Sequence, residues 1–171
     1  AARVKVAATV AGNGIAYGEF SGMTLAAKGG YDAAAARARV EELTVESPYG
    51  SARASGDVAL RAGESRIAAR VDGVDLERLA KRAKVSVLPA ARAAMTLQAR
   101  FPGLAFEQAA GSGTIRLTPA LTDAAANRLP VAADISFDGR ADRMTAVVRS
   151  LTAGGVEVSG TVELTSRTNL S

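Results

Sequence analysis

Carboxylates are the side chains best equipped for chemistry here, because the chain contains neither histidine nor cysteine. Thiol nucleophiles, thiolate and imidazole metal sites, and the usual base of a Ser-His-Asp arrangement are therefore excluded. Asp72 and Asp75 could form an acid and base pair by spacing, but Asp75 stands where a helix needs its N-cap and no aromatics lie nearby to hold a substrate. Asp134 and the "DGRAD" of 138–142 offer oxygens to calcium without the spaced ligands of a complete loop, and a hairpin turn accounts for them better. "GSGT" at 111–114 is a poor phosphate loop, since strand pattern follows it and not a helix. "NLS" at 169–171 is formally a glycosylation sequon. This inventory yields no catalytic residue, no metal site and no cofactor.

The elements that would carry any site are strands. Of 171 residues 48% are hydrophobic and only 4% aromatic, which suffices for one domain whose apolar side chains are mostly small. The net charge of +4 comes from basic residues spread singly, as in "RVKV" and "RIAARVDG", each beside apolar neighbours of opposite parity. Such spacing describes a solvated sheet exterior; no run joins Lys and Arg to aromatics as nucleic-acid binding needs. No stretch approaches the roughly 18 apolar residues of a membrane span. With no initiator Met or signal pattern at its start and a strand just before its end, residues 1–171 read as one β-rich segment cut from a longer repeat protein.

Val4, Val6, Ala8 and Val10 alternate with polar positions, "GNG" at 12–14 suggests a turn, and a second strand runs from Ile15 with a bulge at Ser21-Gly22. Residues 31–50 read as two strands, with a helix over 32–43 as the alternative. Ala52, Ala54, Gly56, Val58 and Leu60 share a face and return, after a turn near Gly63, through Ile67, Ala69 and Val71. Asp75 caps a short α-helix near residues 75–84, with Leu76, Leu79, Ala80 and Ala83 on one stripe. After Pro89 the alternation resumes in Ala93, Met95, Leu97, Ala99 and Phe101. Two further strands are expected in 103–121, a loop or one helical turn in 122–129, a strand over Val131–Phe137 ended by an Asp138-Gly139 turn, and two or three strands to the end.

One phrase recurs: "SGDVAL" at 55–60, "GSGTIRL" at 111–117 and "VSGTVEL" at 158–164 each set a glycine before two aliphatics spaced two apart. Gly56, Gly113 and Gly160 are on the apolar parity of their strands. A glycine there marks a place where a side chain would meet another backbone or where the sheet bends. The fold class is therefore mainly β: long antiparallel strands creased at similar heights and folded into a taco-like open groove, with one short helix. A closed sandwich usually fills its centre with large aromatics, and this chain has no Trp and 4 Phe.

"VDGVDLERLAKRAKVSVLPAARAAMTLQARFPG" at 71–103 resembles the AsmA-like repeat, and "SPYGSARASGDVAL" and "GGVEVSGTVEL" are similar to strand phrases of the TamB family; together the likeness spans most of residues 40–165. Ala93 departs from it, standing where the pattern has glycine. The resemblance implies a periplasmic bridge anchored in the inner membrane, with an apolar groove for phospholipid acyl chains. Its implied partners are neighbouring repeats of the same chain and an outer-membrane β-barrel assembly protein, with no nucleic acid and no cofactor. The groove floor expected on that basis comprises Val58, Leu60, Ile67, Val71 and Met95, continuing through Leu97, Ile115, Leu117, Val162 and Leu164. The alternative is a structural or adhesive β-repeat module with a closed core and no lipid cargo.

Overall fold

The computed structural model describes residues 4–17, 20–120, 127–140 and 142–165. Ten strands account for most of them: β1 Lys5–Tyr17, β2 Phe20–Asp32, β3 Arg37–Ser47, β4 Gly50–Ala59, β5 Glu64–Asp75, β6 Leu88–Pro102, β7 Ala110–Pro119, β8 Arg128–Arg140, β9 Arg143–Ala153 and β10 Val156–Thr165. They form one sheet in chain order, each antiparallel to the next. A short parallel pairing of Leu88–Ala90 with Arg128–Pro130 ties β6 to β8 at one end. The helix is inserted between β5 and β6 and a 3-10 turn between β6 and β7, and the order of strands in the sheet is still the order of the sequence.

The helix α1 spans Leu76–Arg82 between β5 and β6. Asp75 starts it by accepting the Arg78 amide at 3.0 Å, and Ala80 is buried. Glu77 fastens it, taking Lys81 at 2.7 Å and Arg128 of β8 at 2.6 Å, and these two cations hold its carboxyl below the usual range. At the opposite end of the sheet the Ser65 hydroxyl, fully buried, donates to the Gly103 carbonyl at 2.6 Å and accepts the Ala59 amide at 2.9 Å. A 3-10 turn at Phe106–Gln108 closes that corner, with the Phe106 ring 4.6 Å from the buried Phe101 ring.

Residues 31–50 form the end of β2, a turn and β3, not a helix. Three turn assignments need correction. "GNG" at 12–14 lies inside β1, where Gly14 takes a positive φ of 67° and the register with β2 slips between Gly12 and Ile15; the same φ freedom that serves a turn here makes a bulge. Asp138 and Gly139 are paired with Ser112 and Gly111 at the end of the β7–β8 ladder, and β8 runs on to Arg140, which pairs with Arg143, so the turn into β9 comes just after the expected place. Residues 103–121 contribute one strand, β7, because the "GLAFEQ" part is taken up by the 3-10 turn. The bulge expected at Ser21-Gly22 is present, with Gly22 at φ 74°. Most of the loop expected at 122–129, and the sequon at 169–171, lie outside the described residues.

Candidate functional site

Following the register from strand to strand gives rungs that cross the whole sheet. One runs Val10, Ala27, Leu43, Ala54, Ala69, Leu97, Gly113, Phe137, Ala146, Val162. The rung on its helix side is Gly12, Leu25, Val45, Ala52, Val71, Met95, Ile115, Ile135, Val148, Gly160. The one on its other side is Ala8, Gly29, Val40, Gly56, Ile67, Ala99, Gly111, Gly139, Met144, Leu164. Every position on all three is apolar or glycine. Directly opposite residues share a face, so these rungs make one uninterrupted apolar surface.

The opposite face is polar, and several of its charges pair with one another. Arg70 pairs with Asp72 at 2.6 Å and lowers that carboxyl below its usual range; Arg116 and Arg149 both reach Asp134; Thr96 and Thr114 share a hydrogen bond of 2.8 Å. The carboxylates with the best spacing for chemistry are thus occupied as helix cap or ion-pair partners.

Among the described residues, the buried apolar set is Ala36, Ala59, Ala80, Ala90, Ala91, Phe101 and Ala133, and no Val, Leu, Ile or Met belongs to it. A closed sandwich of this size would bury its branched aliphatics. Here Ile67, Val71, Met95, Leu97, Ile115 and Leu117 are half-buried, while Val162 and Leu164 on the outer strand β10 are 50% and 55% exposed. Val58, opposite Ala38, is also half-buried on the apolar face. Leu60 falls one residue past β4, where its amide bonds the Ala36 carbonyl in the β2–β3 turn, so it belongs to no rung. Ile135, Phe137, Val148 and Leu151 complete the surface on β8 and β9; parity finds the first three, and a register slip between Asp134 and Ile135 brings Leu151 onto the same face.

The three crease glycines differ in what they accommodate. A Cβ at Gly56 would lie 2.7 Å from the Arg66 carbonyl oxygen, and at Gly113 it would overlap both the Thr96 carbonyl oxygen and the Phe137 ring. Gly111 behaves similarly, at 2.5 Å from the Gln98 carbonyl oxygen. All are on the apolar face, so the adjoining strand leans over that face at each of them. Gly160 has open space around it and instead adopts φ 149° beside a register slip between Val158 and Gly160, so it is a bulge glycine. A concavity of about 900 Å³ spans β3 to β8 and is lined by consecutive residues of both parities, Ile67 with Arg66 and Ala68 and Ala99 with Gln98 and Arg100 among them, so it is not a feature of the apolar face alone.

Fold and site together define an open, single-layer antiparallel sheet with one continuous apolar face. The chain matches no family model, no curated protein and no solved structure.

Proposed function

We propose that the chain is a non-enzymatic segment of a lipid-conducting bridge of the TamB and AsmA-like kind, in which phospholipid acyl chains lie on the apolar face of the sheet. The observation that carries this is the set of three unbroken apolar rungs across ten strands with no branched aliphatic buried among the described residues. Keeping an acyl chain out of water is worth about 0.8 kcal/mol per CH₂. Side chains already half-covered by their neighbours offer a smooth surface, and small residues between them keep successive positions similar, so a chain can slide along the rungs.

In this proposal the protein works in the periplasm, as part of a parent anchored in the inner membrane. Further repeats of that parent continue the sheet at β1 and β10, and an outer-membrane β-barrel assembly protein stands at the far end. The apolar residues of those two strands support continuation: Val6 and Val10 of β1 and Val156, Val158, Val162 and Leu164 of β10 are all about half exposed or more. The alternative of a closed structural or adhesive module would require these rungs to be shut against a second layer. Solvent extraction and native mass spectrometry of the purified chain decide between them. Co-purifying phospholipid is expected, and a lipid-free protein under non-denaturing purification would remove the proposal.

A further inference from the structure

An open sheet built in chain order leaves two edges. Among the described residues β1 pairs with β2 alone and β10 with β9 alone, so the outer backbone N–H and C=O groups of both have no strand to bond. With each strand antiparallel to the next, the first and the tenth run in opposite directions. The β1 strand of a second copy can therefore lie beside β10 and continue the same alternation, with the apolar faces of both copies on one side.

The two edges match in length, face and charge. Residues 4–12 of the β1 edge and 156–164 of β10 each keep their even-numbered positions on the apolar face. Overlapping these segments end to end sets Val6 opposite Val162 and Val10 opposite Val158, and it brings Ala8 to Gly160, which has open space around it. On the polar face the same register sets Lys5 opposite Glu163. The Lys5 side chain is 74% exposed, with Asp32 of its own sheet 3.6 Å away, and Glu163 has no ion-pair partner among the described residues.

We infer that β10 of one copy pairs with β1 of a second copy in this register. Pairing of like edges is poorer. Two β10 strands overlapped along their length would set Glu157 opposite Glu163, a repulsive arrangement in a sheet, and two β1 strands would offer Lys5 no acid. Each β10–β1 contact leaves a β1 free at one end and a β10 free at the other, so copies add head to tail. This pairing deepens the proposed continuation of the sheet by naming what fits its edges, and it needs no lipid on the apolar face.

The chain lacks cysteine, so introduced thiols report one contact at a time. In the inferred register Ala7 lies opposite Thr161, where Cα atoms of an antiparallel pair are about 4.5–5.5 Å apart and within disulfide reach. Mixing A7C with T161C under mild oxidation is expected to give about tenfold more mixed disulfide than A7C with T165C, whose positions are offset by roughly 13 Å along the strand. In sedimentation equilibrium the average mass of the full chain should rise with concentration. E163K should weaken that association about three- to tenfold, and mixing E163K with K5E should restore it, because every contact between the two variants again pairs a lysine with a glutamate. If a charge variant fails to fold, the cysteine pairs decide alone. A chain that stays monomeric at every concentration, equal cross-linking of A7C to T161C and T165C, or association indifferent to E163K in a folded variant overturns the inference. Mass spectrometry of the same samples for phospholipid keeps the two readings apart: a monomer carrying lipid removes the edge pairing and leaves the acyl-binding role, and head-to-tail copies without lipid do the reverse.

Discussion

Replacing Gly113 by alanine adds one carbon, and the sheet has no room for it. That carbon would overlap the Thr96 carbonyl oxygen, which is fixed in the β6–β7 ladder, and the ring of Phe137, the residue opposite on β8. Phe137 could rotate aside; the carbonyl cannot move without parting the strands. Overpacking of this kind costs about 1–3 kcal/mol. Gly139, one rung away on β8, is the matched control. Its nearest neighbour would be Met144 Cγ at 3.6 Å, an ordinary contact with a flexible side chain. Gly139→Ala should therefore be neutral, or stabilise by about 0.4–1 kcal/mol through the lower entropy of the unfolded chain. Urea unfolding followed by far-ultraviolet circular dichroism separates the two. With a denaturant slope of about 1–3 kcal/mol per molar, Gly113→Ala should lower the midpoint by roughly 1 M, and Gly139→Ala should leave it level or raise it. A Gly113→Ala midpoint at or above wild type, or an equal loss in both variants, would refute the account of why glycine is needed at the crease.

Leu97→Arg, in the centre of a half-buried rung, should abolish phospholipid co-purification with β content intact by circular dichroism, and Val162→Arg should do the same at the outer strand; a variant that simply unfolds would count against the open surface at that position. Ser65→Ala removes the partner of both the Ala59 amide and the Gly103 carbonyl, so thermal or urea unfolding should register a loss of about 1–3 kcal/mol, and an unchanged midpoint would contradict the role assigned to this hydroxyl. Glu77 has its folded pKa lowered by Lys81 and Arg128, so its stabilising tie is complete above the ordinary value of 4.5 and is lost as pH falls through the lowered one. Amide exchange in α1 should accordingly accelerate in that acid range in wild type and show no such step in Glu77→Gln.

Period-two alternation located most of the strands, because a half-buried sheet writes its two faces directly into the sequence, as in Ala93, Met95, Leu97 and Ala99. The helix was legible from Asp75 and the Leu76, Leu79, Ala80 stripe, although its last turn stops short and Ala83 is the C-cap. Turn chemistry was the weaker guide. Gly-Asn-Gly in β1 carries the composition of a hairpin turn yet sits within the strand, since β2 pairs on both sides of it, and Asp-Gly in β8 falls just short of the turn, since pairing with β9 continues to Arg140. Gly160 shares its phrase with Gly56 and Gly113, but backbone dihedral and not crowding explains it, a distinction that composition cannot express.

The central claim is that acyl chains occupy the apolar face of this sheet and not its polar face. Adjacent residues of β6 test it, since Leu97 lies on one face and Thr96 on the other. A photo-crosslinking phenylalanine analogue placed at each position in turn, irradiated in cells and analysed by mass spectrometry for phospholipid adducts, gives the most direct measurement. Adducts at 97 and none at 96 are the expected result; equal labelling at both, or labelling at 96 alone, would contradict the claim.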